Sequence, residues 1–178
     1  LPHDYNNIYT EALSLWTSLP EEVRVVEGEK WFVNRINGED QDWVNYSKTQ
    51  VKGGLPQKTK KHRIAIFNSS EDEFAAIGRD YQNPLFEDQV EALEYVVRVL
   101  AKHDDIEVVL RVHPNLKNQK NRQIDSINSL CSRNLLIISA DSNLSSYELL
   151  FSADVVLTFG SQVGIEAVFW GKPSVLVG

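Results

Sequence analysis

From Arg63 onward, short apolar runs alternate with stretches of helical period. The runs are Ile64–Phe67, Ile106–Val112, Leu135–Ile138, Val155–Thr158 and Ser174–Val177. Their near-continuous Val, Ile and Leu content predicts strands buried on both faces, as in a parallel sheet covered by helices. Between them Phe86, Val90, Leu93, Val97 and Leu100 recur at helical spacing, and Ile124, Ile127, Leu130 and Cys131 form a shorter apolar set. The pattern is a repeated β-α unit and predicts an α/β fold with a Rossmann-like, doubly wound parallel sheet. Ser145-Ser146-Tyr147-Glu148 reads as a Ser-x-x-Glu capping box, so a short helix is expected from near Ser146 to before Asp154. After Val155–Thr158 comes a small-residue turn, Phe159-Gly160-Ser161. It leads into a short helix carrying Glu166, a stop at Gly171-Lys172-Pro173 and the last strand.

The first sixty residues read differently. Tyr5, Ile8, Tyr9, Ala12, Leu13 and Trp16 form one helical stripe, and Ser18-Leu19-Pro20-Glu21 marks a fresh helix start. Trp31, Phe32, Trp43 and Tyr46 stand in polar surroundings, and Gly53-Gly54-Leu55-Pro56 marks a loop. The expected division is a helical extension and linker over 1–60 and a Rossmann-like domain over 61–178.

At 178 residues the chain has the size of one domain and is long enough to bury a real core. A net charge of −7 argues against a general polyanion binder, so no nucleic acid partner is expected. The basic stretch Lys58-Thr59-Lys60-Lys61-His62-Arg63 reads as a solvated linker. The single cysteine, Cys131, excludes an internal disulfide, fits a reducing compartment and falls on an apolar spacing that predicts a buried thiol. No signal peptide or membrane-spanning stretch is apparent, which predicts a cytoplasmic location. The chain lacks methionine and opens Leu1-Pro2-His3, so it reads as processed or as a piece of something longer.

In open parallel sheets ligands lie at the carboxyl ends of the strands. Here those ends are polar: Asn68-Ser69-Ser70-Glu71-Asp72-Glu73, His113-Pro114-Asn115, Ser139-Ala140-Asp141-Ser142 and Gly160-Ser161-Gln162. His113, held by the following proline, can donate to a phosphate or protonate a leaving group near neutral pH. A helix start offers N–H groups to phosphate, and Glu166 beyond it can accept from a sugar diol. No His or Cys pair has metal-ligand spacing, although Asp72 and Glu73 adjoin other acids. There is no Gly-x-Gly-x-x-Gly or Walker loop.

Glu166-Ala167, Gly171, Pro173 and Val175 resemble the Glu-Ala-x-x-x-Gly-x-Pro-x-Val segment of GT-B glycosyltransferases, whose Glu holds the ribose. Many members carry a second Glu eight residues earlier, where this chain has Thr158. Taken with Arg111-Val112-His113-Pro114 and Asn68-Ser69-Ser70-Glu71-Asp72-Glu73-Phe74, the chain from about Trp31 to Gly178 resembles the capsule polysaccharide biosynthesis family. That family includes transferases using CMP-activated acidic sugars such as Kdo. Bacterial polysialyltransferases have a similar His-Pro motif and serine motif around CMP.

The resemblance implies the C-terminal, donor-binding half of a GT-B enzyme that transfers a sugar from a CMP- or UDP-linked donor to a growing capsular or surface polysaccharide. His113 would be the catalytic residue, contacting the donor phosphate and assisting its departure. Gly160 and Ser161 would meet the same phosphate, Glu166 the ribose, and Tyr147 and Glu148 the base. Pro114 and Asn115 complete the donor-side turn, while Ser69, Ser70 and Glu71 would line the cleft. No cofactor and no metal are expected. The implied partners are the nucleotide sugar, a glycan acceptor and an N-terminal GT-B domain outside this chain, with peripheral association at the inner face of the bacterial inner membrane through the full-length protein. A UDP-sugar 2-epimerase-like or CDP-glycerol glycerophosphotransferase-like enzyme and a non-catalytic nucleotide-binding module are the alternatives on the same fold.

Overall fold

The computed structural model describes residues 5–39, 46–71 and 85–177. Trp43, Asp72 and Glu73 lie outside them. The chain divides into two compact units, Leu1–Lys48 and Thr49–Gly178.

In the first unit, α1 (Tyr5–Ser18) and α2 (Glu21–Asn37) follow from the apolar stripe and the proline start, with Pro20 at the N-cap of α2. Gly38 ends α2 at φ 74°, a left-handed conformation that glycine adopts without a Cβ penalty. Within this unit the Arg35 guanidinium lies 4.9 Å from the Trp31 ring centre, and Trp31 meets Phe32 edge to face. These aromatics thus make part of their contacts within their own helix. The apolar stripe of α1 is itself exposed, Tyr9 to 67%.

In the second unit five parallel strands form one sheet in the order β3-β2-β1-β4-β5: β1 (His62–Phe67), β2 (Ile106–Arg111), β3 (Leu135–Ile138), β4 (Val155–Thr158) and β5 (Ser174–Leu176). Among the described residues the intervening helices are α3 (Gln89–Leu100), α4 (Arg122–Ser129), α5 (Ser146–Ser152) and α6 (Val163–Phe169). Alternation sorts the strand residues onto two faces. Ile66, Val108 and Leu110 pack with Ala92 and Leu93 of α3 and Ile127 of α4 in one fully buried cluster, which accounts for the helical spacing read from the sequence. The opposite parity, Arg63, Phe67, Arg111 and Thr158, faces α5 and α6: Arg63 Nη1 donates to Ser152 Oγ, and Thr158 lies beneath Gly164.

Helix starts are met locally. Asp88, Asn121 and Ser145 cap α3, α4 and α5 by accepting from the N–H of Glu91, Ile124 and Glu148. The capping box at Ser145 is only half formed. Glu148 accepts instead from Gly53 N–H at 2.9 Å, while Ser145 N–H goes to Val51 O at 3.0 Å. This loop competes successfully because its N–H needs a partner and lies alongside the start of α5.

Two expectations are corrected. Cys131 is exposed, because α4 ends at Ser129 and Leu130 turns to φ −60°, ψ 126°, so helical spacing no longer governs the next residue. The basic stretch is not uniformly solvated: its last two residues belong to β1, and Arg63 is 2% exposed in an ion pair with Glu107 at 2.8 Å.

Candidate functional site

The strand order reverses between β1 and β4, and in doubly wound sheets that reversal opens the ligand crevice at the carboxyl ends. β1 runs into Asn68-Ser69-Ser70 and β4 into Phe159-Gly160-Ser161. Ser69 Oγ donates to Phe159 O at 2.7 Å, spanning the reversal. Asn68 Oδ1 accepts from His113 N–H at 3.0 Å. Three strand tips are therefore joined through two consecutive residues.

Two buried amides hold that junction from the helices. Gln89 Oε1 accepts from Ser69 N–H at 3.0 Å, and Gln123 donates to Ser69 O at 2.8 Å while accepting from Glu71 N–H at 3.2 Å. Ser69 and Ser70 lie in the interior at 3% and 2% exposure, so Ser69 acts here as an internal brace. Glu71 is half-buried. Burial, and the Asp88 carboxylate beside it, push its carboxyl up from the ordinary value against the pull of the Val90 and Gln89 N–H groups and of Arg122. One of its oxygens is buried without a hydrogen-bond partner.

His113 Nδ1 accepts from Asn115 N–H at 3.2 Å within the turn that Pro114 begins. That bond fixes the ring and, in the neutral imidazole, puts the proton on Nε2. Gly160 sits at φ 79°, where a glycine is needed for the chain to leave β4. Ser161 Oγ accepts from Val163 N–H at 3.4 Å.

Glu166 is 1% exposed and accepts from the Tyr147 hydroxyl, with Tyr147 itself 5% exposed. The structure thus brings Tyr147 and Glu166 together across α5 and α6, while Glu148 is turned to the Gly53 loop. Position 158 has no carboxylate: Thr158 is 2% exposed, and a Cβ on Gly164 would fall 2.9 Å from its Oγ1. Among the described residues no three of His, Cys, Asp and Glu converge as a metal-holding group, and no helix is long and apolar enough to cross a membrane.

Sequence reasoning did not single out Asn68, Gln89 or Gln123 as organisers of this site. Asn68 carried a faint signal, a carboxamide immediately after a buried strand. The two glutamines carried none, because glutamine on a helix ordinarily faces solvent.

A parallel sheet of this strand order with helices between its strands is a Rossmann-like α/β fold, consistent with one half of a GT-B fold. The chain is similar to Thermosulfurimonas dismutans KpsC, a beta Kdo 2,4 transferase: TM-score 0.61 and 17% identity over 89% of this chain and 45% of that one. It is also similar to a protein described as a UDP-N-acetylglucosamine 2-epimerase from Listeria monocytogenes, with TM-score 0.47 and 14% identity over 70% of this chain and 31% of that one. The chain thus spans less than half the length of either. No protein-family profile and no curated protein sequence matches it.

Proposed function

We propose that this chain is the donor-binding half of a GT-B glycosyltransferase that takes a CMP- or UDP-linked sugar to a capsular or surface glycan. The observation that carries this reading is the junction of three strand tips at the sheet reversal, where Asn68 accepts from the His113 N–H and the next residue, Ser69, donates to the Phe159 carbonyl. The fold shared with the Kdo transferase supports it. In this reading His113, its ring fixed through Nδ1, contacts the donor phosphate and assists its departure. Pro114 and Asn115 hold that turn, and Gly160 and Ser161 meet the same phosphate. Glu166 holds the ribose, and Tyr147 and Glu148 lie toward the base. Ser69, Ser70 and Glu71 shape the cleft floor. The acceptor and the catalytic base come from an N-terminal domain outside this chain, and the protein works without a metal at the inner face of the membrane.

The test is a calorimetric titration of the 178-residue chain with CMP, CDP, UMP and UDP. Binding of at least one is expected, with NMR chemical-shift changes on adding the same nucleotide centred on His113, Gly160, Ser161 and Glu166. Glu166→Ala should weaken that binding by about 1.5 to 3 kcal/mol, the range for a hydrogen bond to a charged group. Absence of binding by all four, or binding elsewhere on the chain, overturns the proposal.

A further inference from the structure

Two arginines are buried in the sheet, and they differ in one respect. Arg63 and Arg111 are each 2% exposed, on the same face, Arg63 near the amino end of β1 and Arg111 at the carboxyl end of β2. Arg63 has a carboxylate: its Nε donates to Glu107 at 2.8 Å, and its remaining nitrogens donate to Ser152 Oγ and Pro56 O. Arg111 has none. Its Nη1 and Nη2 donate to the carbonyls of Ser139 and Ser142 at 2.5 and 2.8 Å, and its Nε is buried with no acceptor. No carboxylate among the described residues reaches ion-pair distance of it, and burial alone pushes its pKa down from the ordinary guanidinium value.

An unpaired charge inside a protein is costly, and carbonyl dipoles offset that cost only in part. At the amino end of the sheet the cost is met by Glu107. At the carboxyl end, where an open sheet takes its ligand, no carboxylate among the described residues supplies the counter-charge. Arg111 is two residues before His113, and Val112 between them packs into the opposite face, in the core cluster with Leu93 and Ile127.

We propose that Arg111 is the fixed positive charge that selects an anionic group at the carboxyl edge of the sheet, namely the phosphate of the nucleotide assigned above, on which reading this inference rests. It acts as a positioning residue. The guanidinium stays beneath the His113 turn and raises the potential there, in surroundings of low dielectric where a fixed charge acts strongly. Its two bonds to Ser139 and Ser142 also hold the loop that leads to α5.

The experiment compares the affinities of nucleotide and parent nucleoside, CMP against cytidine and UMP against uridine, for the wild-type chain, Arg111→Gln and Arg111→Lys. Wild type should favour the nucleotide strongly. Arg111→Gln should narrow the nucleotide-to-nucleoside ratio about tenfold or more, the scale for removing one charge at low effective dielectric. Arg111→Lys should keep the ratio within about threefold while weakening both ligands, since charge is retained and the two-carbonyl hold is lost. An unmoved ratio in Arg111→Gln, both ligands weakening together, reduces Arg111 to a loop latch and overturns the inference while leaving the nucleotide reading intact. Should Arg111→Gln fail to fold, salt dependence in the wild type decides. A ratio that persists between about 50 and 500 mM salt supports a buried charge, and one that collapses assigns selectivity to exposed cations and overturns it. Wild-type protein that binds none of CMP, CDP, UMP and UDP overturns both readings.

Discussion

A carboxylate with 1% exposure must be met by hydrogen-bond donors, and at Glu166 the Tyr147 hydroxyl is one of them. Tyr147→Phe removes that donor without changing ring volume. It should cost about 1.5 to 3 kcal/mol of folding stability, read from the urea midpoint at unchanged m-value. Glu71 answers to the opposite arithmetic. Its folded pKa is raised, by burial first and by Asp88 second, so the stability it contributes is present below the unfolded carboxyl pKa and lost as pH rises through the folded value. Glu71→Gln, which can still accept from Gln89 and Val90, should therefore stabilise the protein at pH 7 and lose that advantage below about pH 4. Denaturation midpoints across pH give the sign directly.

At the scale of elements, helix ends were legible because their chemistry is local. Pro20, Ser145 and Gly171 each mark a boundary that backbone geometry demands, and the strands stood out by their apolar runs. The inner strands are buried on both faces, whereas the edge strands expected to be so are not: Leu136, Val175 and Leu176 are exposed because no further strand or helix covers them among the described residues. What escaped was chemistry across elements. Nothing near Gln123 in sequence reveals that its amide meets Ser69 and Glu71, and the spacing that put Cys131 on a helix ran past the point where α4 stops. Gly171 tests the local kind. It follows α6 at φ 73° with no atom within 4 Å of an added Cβ, so Gly171→Ala meets only the left-handed backbone penalty. The expected loss is about 1 to 2 kcal/mol, with Gly171→Asn losing less, and thermal unfolding of the two variants checks the order.

Over the whole sheet unit the two ends carry different electrostatics. The amino end is clasped: Lys58 and the Arg63 N–H both meet Asp154, and Arg63 meets Glu107, which also accepts from Thr59. Burial works to raise the Glu107 carboxyl, but bonds from Thr59 and Arg63 outweigh it and hold it low; Asp154 is held low by Lys58 first and the Arg63 N–H second. Depressed carboxylates contribute stability above their unfolded pKa and lose it as pH falls through the folded values, so the unit should weaken on acidification below the ordinary carboxylate range. Glu107→Ala leaves Arg63 buried and unpaired. It should cost about 3 to 5 kcal/mol at pH 7 and flatten the acid limb of the stability curve, as equilibrium unfolding at several pH values will show.

The contact between Thr158 and Gly164 joins two positions into one unit of sequence choice. A strand residue and a helix residue six apart share a space that holds the hydroxyl and methyl of one only while the other has no side chain. Single steps at either position are then costly alone, and the pair must drift together, as coupled substitutions do in close-packed interiors. Acquiring a glutamate at position 158 is therefore not one change but a rearrangement of the strand-to-helix approach. A double-mutant cycle of Thr158→Ala with Gly164→Ala should show favourable coupling, the strand residue without its hydroxyl and methyl recovering part of what the added Cβ costs, and additive losses would separate the two positions again.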